Sequence, residues 1–197
     1  MSAATEALCN HPVFRFFRVI SDIPRPSKHE EQISQFLFRW ARERGLEAEQ
    51  DEKLNILIRK PATPGYEGAP GIMLQAHMDM VCEKAPEAEH DFMKDPIHWE
   101  LDGDILSTGR RTTLGADDGI GVAMAMAVLD DDTLSHPALE VLFTTAEEVG
   151  MDGAHAFDYS LLTARRMLNL DSEEFGVVTA GCAGGLRSDL TVKTDCE

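Results

Sequence analysis

Residues 119–129, GIGVAMAMAVL, carry no charged side chain; Ile, Val, Met and Leu are interleaved with five glycines and alanines. A helix that is apolar on every side is buried between layers of structure. We therefore expect this helix to be enclosed nearly all round, in a chain that supplies sheet and further helices to cover it. Short apolar runs suited to buried strands stand at residues 72–74, 139–143 and 167–170, and two more strands are expected at 46–50 and 54–59 around Asp51-Glu52-Lys53. Residues 11–22 carry a helical stripe of Val13, Phe14, Phe17 and Ile20, stopped by Ile23-Pro24-Arg25-Pro26. A second helix is expected to open at Ser27, with Glu30 completing a capping box, Ile33, Phe36, Leu37 and Trp40 as its apolar face, and Gly45 just past its end. Asp102-Gly103 predicts a hairpin between strands 98–101 and 104–106. Residues 61–70 and 82–97 are read as loops, the second over the mouth of a site. A short helix is expected at 152–157, and strands at 177–180 and 186–192 flank a glycine-rich turn. Strands alternating with helices make this an α/β layered fold.

The 197 residues suit one domain of ordinary size, large enough for a continuous core. A formal charge of −17 repels phosphate backbones and anionic surfaces, which argues against nucleic acid or membrane as partners. No apolar run has the length of a membrane span, and MSAATEALCN lacks a basic region followed by an apolar one, so a cytoplasmic location is expected. Cys9, Cys82, Cys182 and Cys196 show no C-x-x-C spacing, as suits reduced thiols.

The chemistry gathers where strands end. His77 and Asp79 follow the apolar run at 72–74, and residues two apart on extended chain point the same way. An imidazole with a carboxylate that fixes its orientation is half of a metal site, although H-x-D alone is equally an ordinary surface pair. Asp117 and Asp118 stand before the apolar helix, where either could serve simply as an N-cap. Glu147 and Glu148 follow LEVLF, and adjacent carboxylates repel unless a cation or proton lies between them. Asp171 follows MLNL, where a turn residue would also be at home. Together these groups favour a metal site of carboxylate oxygens and imidazole, a set that zinc accepts.

The segments LQAHMDMVCEK, TTLGADDGIG, TTAEEVGMDGA, NLDSEE and AGCAGG, in that order, resemble the co-catalytic dizinc exopeptidase family, and within it the aminoacyl-histidine dipeptidases of the Xaa-His, cytosol non-specific type. The resemblance runs from about residue 8 to about residue 190. It implies a zinc-exopeptidase-like (phosphorylase/hydrolase-like) fold, a central mixed sheet flanked by helices. It also implies hydrolysis of carnosine-like dipeptides by a water activated between two zinc ions, with cobalt or manganese as substitutes. His77 and Asp171 would bind one ion, Asp117 would bridge, Glu148 would bind the second, Asp79 would orient His77, and Glu147 would act as general base. The peptide bond after Asp117 is expected to be cis.

Asp118 stands where Asn is more often expected. The family also has a further His ligand downstream, and none of His11, His29, His90, His98, His136 and His155 has the context to replace it. The chain is thus expected to be an N-terminal portion, incomplete at its C-terminal side. Residues 1–188 would belong to the catalytic domain and 189–197 would begin an inserted lid or dimerisation domain. The full-length protein would be a homodimer, and the 197-residue chain alone would be inactive or weak. An aminoacylase on the same scaffold and an inactive metal-binding module are the alternative readings.

Overall fold

A computed structural model describes residues 3–172, 174, 176–181, 184, 188 and 190–192. After the short helix α1 (Ala3–Leu8) come α2 (Pro12–Ser21) and α3 (Glu31–Glu43), then strands β1 (Glu47–Gln50), β2 (Ile56–Lys60) and β3 (Ile72–His77). A hairpin of β4 (Glu100–Asp102) and β5 (Ile105–Ser107) leads to α4 (Ala116–Asp130), β6 (Leu139–Thr144), α5 (Asp152–Ala156), a 3₁₀ turn at Tyr159–Leu161, and β7 (Arg166–Asn169).

The main sheet has the order β1-β2-β6-β3-β7. β1 and β2 are antiparallel to their neighbours, whereas β6, β3 and β7 run parallel, so the sheet is mixed. From β3 the chain goes to β6 on one side and later returns to β7 on the other. The carboxyl ends of β6, β3 and β7 therefore share one edge and meet at a switch in strand order, where α/β sheets place their ligands.

Side chains alternate across the sheet as period two requires. Ile56, Ile58, Leu74, Ala76, Val141 and Phe143 join the main core with Phe16, Phe17 and Ile20 of α2, Ile33, Leu37 and Trp40 of α3, and Val122 and Met126 of α4. Leu57, Met73 and Leu142 face the other way, onto Phe157 and Leu162. The apolar helix is enclosed less completely than expected: it lies against α2 and β3, but Met124 is 41% exposed.

Gly45 ends α3 as expected. Its φ of +72° lets its own N–H reach the carbonyl of Arg42, and the Leu46 N–H that of Ala41. The start of α3 differs from expectation. Glu30, not Ser27, precedes the first turn and makes no side-chain cap bond, because both residues are engaged by distant parts of the chain. The end of the 82–97 loop is anchored on α2, with the Ile97 N–H on the Ser21 carbonyl and the Trp99 indole N–H on the Ser21 hydroxyl. Residues 177–180 form no strand, nor do the described residues 188 and 190–192 of the strand expected over 186–192, which corrects both expectations; residues 186, 187 and 189 lie outside the described residues. Cys9 and Cys82 are free thiols.

Candidate metal centre

His77 is the last residue of β3 and is 1% exposed. Its ring lies between two carboxylates. Nδ1 is 3.3 Å from Asp79 Oδ1, although the geometry leaves Nδ1 without a hydrogen bond, and Nε2 is 3.0 Å from Asp117 Oδ1. Glu147 Oε2 is 4.0 Å from the same Nε2. Burial opposes charge on this imidazole, but Asp79, then Asp117 and Asp118, outweigh it and raise its pKa to about 9.

Asp79 is wholly buried and ties two loops together. Its carboxylate accepts hydrogen bonds from the Ser27 hydroxyl (2.7 Å) and from the backbone N–H groups of Glu147 (3.1 Å) and Glu148 (3.4 Å). Burial opposes its ionisation, but His77, Ser27 and the Glu147 N–H hold its pKa below the usual carboxylate value. The same carboxylate thus faces the His77 ring and pins the turn after β6.

Asp117 and Asp118 open α4 with non-helical backbone, and the peptide bond between them is cis, as expected. They face different ways. Asp117 is exposed and turned towards His77. Asp118 is buried and accepts the N–H of His77 (3.2 Å) and that of Gly121 (3.1 Å). Burial, reinforced by Asp171, pushes the Asp118 carboxyl up to about 7. Asp118 is therefore more than an N-cap: it links the end of β3 to the start of α4.

Ligand atoms of His77, Asp117 and Glu148 all lie within 4.8 Å of one another. Glu147 and Glu148 are both half-buried, and burial raises the pKa of each; the Asp171, Asp79 and Asp117 carboxylates add to the rise at Glu147, and Asp117 leads those adding to it at Glu148. Asp171 stands outside that triad. It is exposed and lines a pocket of about 310 Å³ together with Ala116, Asp117, Asp118, Ile120, Leu170 and Ser172. One imidazole nitrogen facing several carboxylate oxygens that repel one another is a donor set that a divalent cation would satisfy. Among the described residues no second histidine joins the group.

Sequence reasoning missed Arg25 and Glu30. Arg25 is 2% exposed beneath the site. Its Nη1 donates to the carbonyls of Met78 (3.2 Å) and Asp79 (3.1 Å), and its Nη2 donates to that of Gly115. Glu30 Oε1 accepts the N–H of Ala146 (2.9 Å), the residue before Glu147. A long cation between two prolines carried no local signal of burial, and Glu30 had a ready local reading as half of a capping box.

The model of peptidase family M28 matches residues 56–180. The cytosol non-specific dipeptidase of Escherichia coli K12 is 49% identical over 190 residues, which is 96% of this chain and 39% of that protein. The crystal structure of aminoacylhistidine dipeptidase from Vibrio alginolyticus superposes with a TM-score of 0.81 at 45% identity, covering 84% of this chain and 34% of that one. The aminopeptidase PepT from Bacillus cereus superposes with a TM-score of 0.70 at 25% identity, over 83% and 43% of the two chains. The chain thus spans about two fifths of the length of the curated dipeptidase it matches.

Proposed function

The chain belongs to peptidase family M28, and from that premise we propose that it carries the metal centre of an enzyme hydrolysing the peptide bond of dipeptides, with the Xaa-His type as substrate. The observation that carries this reading is the meeting of His77, Asp117 and Glu148 within 4.8 Å, at the edge where three parallel strands end. The dipeptidase names of its relatives favour this over an aminoacylase or an inactive module.

His77, Asp117 and Asp171 would hold one zinc ion, and Asp117 with Glu148 the second; cobalt or manganese would substitute. When bound, such ions would lower the pKa of a water and polarise the scissile carbonyl. Asp79, with Oδ1 3.3 Å from His77 Nδ1, would orient that ring, and by accepting the Glu147 and Glu148 N–H groups it sets where both glutamates stand. Glu147, at the same opening as His77 Nε2, takes the proton of the attacking water and returns it to the leaving nitrogen. Its pKa is raised by burial and then by its acidic neighbours, which brings it closer to what a base working near neutrality requires. The pocket beside Asp117, walled by Ile120 and Leu170, would hold the side chain of a small substrate.

The test is release of histidine from alanyl-histidine by chelator-treated protein, with and without added zinc, beside an N-acetyl amino acid. Turnover of the 197-residue chain is expected to be slow, because one imidazole alone joins the group among the described residues. It should require zinc and spare the N-acetyl compound. Hydrolysis that persists in chelator, or that prefers the N-acetyl substrate, would overturn the proposal.

A further inference from the structure

Residues 25–30 lie behind the site and reach each of the loops that carry the triad. Arg25 donates through one nitrogen to the carbonyls of Met78 and Asp79, immediately after His77. Through another it donates to the carbonyl of Gly115, two residues before Asp117. Its own carbonyl accepts the N–H of Met80 (3.1 Å). Ser27 donates to Asp79 Oδ2, and Glu30 accepts the N–H of Ala146. The space for the guanidinium is made by glycine: a Cβ at Gly115 or Gly119 would come within 2.5 or 2.6 Å of Arg25 Nη2.

We propose that Arg25, Ser27 and Glu30 are positioning residues of the metal centre, with Arg25 setting the separation of His77 from Asp117. The inference rests on the metal-centre reading above. A planar guanidinium donates in fixed directions, so carbonyls bonded to it from two segments cannot drift independently. Those carbonyls lie within two residues of His77 and of Asp117, whose Nε2 and Oδ1 are 3.0 Å apart. Ser27 and Glu30 extend the same control to the third loop, through Asp79 and through the residue before Glu147. Arg25 is too deeply buried to meet a substrate, so its effect passes through the backbone it holds.

The experiment titrates cobalt(II) into metal-free protein and reads both affinity and the visible absorption that reports ligand geometry. The proteins are wild type, Arg25→Met, Arg25→Lys, Ser27→Ala and, as a destabilised control, Leu162→Ala in the cluster on the far face of the sheet. Arg25→Met should weaken binding by roughly 10–100-fold with an altered spectrum, as loss of outer groups that orient ligands does. Arg25→Lys, which keeps the charge without the fork, should fall between, and Leu162→Ala should bind like wild type. Should Arg25→Met fail to fold, Arg25→Lys and Ser27→Ala decide. Wild-type affinity and spectrum in both would overturn the inference, as would an equal loss in Leu162→Ala. A wild type that takes up no cobalt would instead overturn the metal-centre reading, and this inference with it.

Discussion

Replacing Glu140 by Gln removes a charge from the middle of the sheet without changing the shape of the side chain. Glu140 is 4% exposed on β6, and its carboxylate accepts from the Thr163 N–H (3.0 and 3.1 Å), the Thr163 hydroxyl (2.8 Å) and the Ala164 N–H (2.9 Å). Hydrogen bonds to a charged acceptor contribute about 1.5–3 kcal/mol each, against about 0.5–1.5 kcal/mol for neutral pairs. Gln keeps one acceptor oxygen and turns an NH2 group towards a donor, so Glu140→Gln should lose about 2–4 kcal/mol. That is a large part of the roughly 5–15 kcal/mol that holds a domain folded. Burial opposes ionisation of Glu140, but the Ala164 and Thr163 donors outweigh it and hold its pKa below the ordinary value. The folded state therefore binds this proton less readily than the unfolded chain, whose Glu titrates near ~4.3. The stabilisation is complete above that pH and is lost as pH falls towards the depressed folded value. Urea unfolding should accordingly show a gap between wild type and variant that is widest above about pH 5 and narrows below about pH 4. A gap under about 0.5 kcal/mol at neutral pH, within the usual range for surface changes, or one that does not change on acidification, would show that the charge of Glu140 does not stabilise the fold through these bonds.

Glu147→Gln should retain metal while losing on the order of 100-fold or more in turnover, whereas Glu148→Gln should lose the second ion; metal analysis beside the rate assay separates them, and two variants with wild-type metal and rate would dismiss both roles. Gly119→Ala should cost about 1–3 kcal/mol, read as a lowered thermal midpoint, because its Cβ would meet Arg25 Nη2 at 2.6 Å and Phe17 Cε2 at 2.9 Å. Met167 and Leu168 are 56% and 54% exposed on β7, an edge strand of the sheet among the described residues, so Met167→Lys and Leu168→Lys should reduce self-association in sedimentation.

Local pattern was enough for the parallel core. The apolar runs at β3, β6 and β7 are legible directly, and each places its acidic or imidazole residues at or just past its carboxyl end, on the one edge where parallel strands exit. Gly45 and the β4–β5 hairpin followed from turn chemistry that operates within a few residues. The failures concern polar groups recruited over distance. Ser27 and Glu30 match a capping box in spacing, yet their partners stand 52 and 116 residues away, and tertiary hydrogen bonds displaced the local ones. Glu140 lies inside the run 139–143, whose pattern signals only a buried strand, and only the fold brings Thr163 and Ala164 over it. Asp118 has the local context of an N-cap, and its bond to the His77 N–H depends on α4 starting beside the end of β3. Helix α1 carried too short an apolar pattern to be expected.

Whether these side chains form a metal centre is read from X-ray absorption at the zinc edge of the reconstituted protein. The expected spectrum has a shell of oxygen and imidazole nitrogen at about 2.0–2.2 Å and a second zinc at ~3.5–4 Å, and it loses the imidazole signal in His77→Ala. A sulfur shell, or a spectrum unchanged by that substitution, would contradict it.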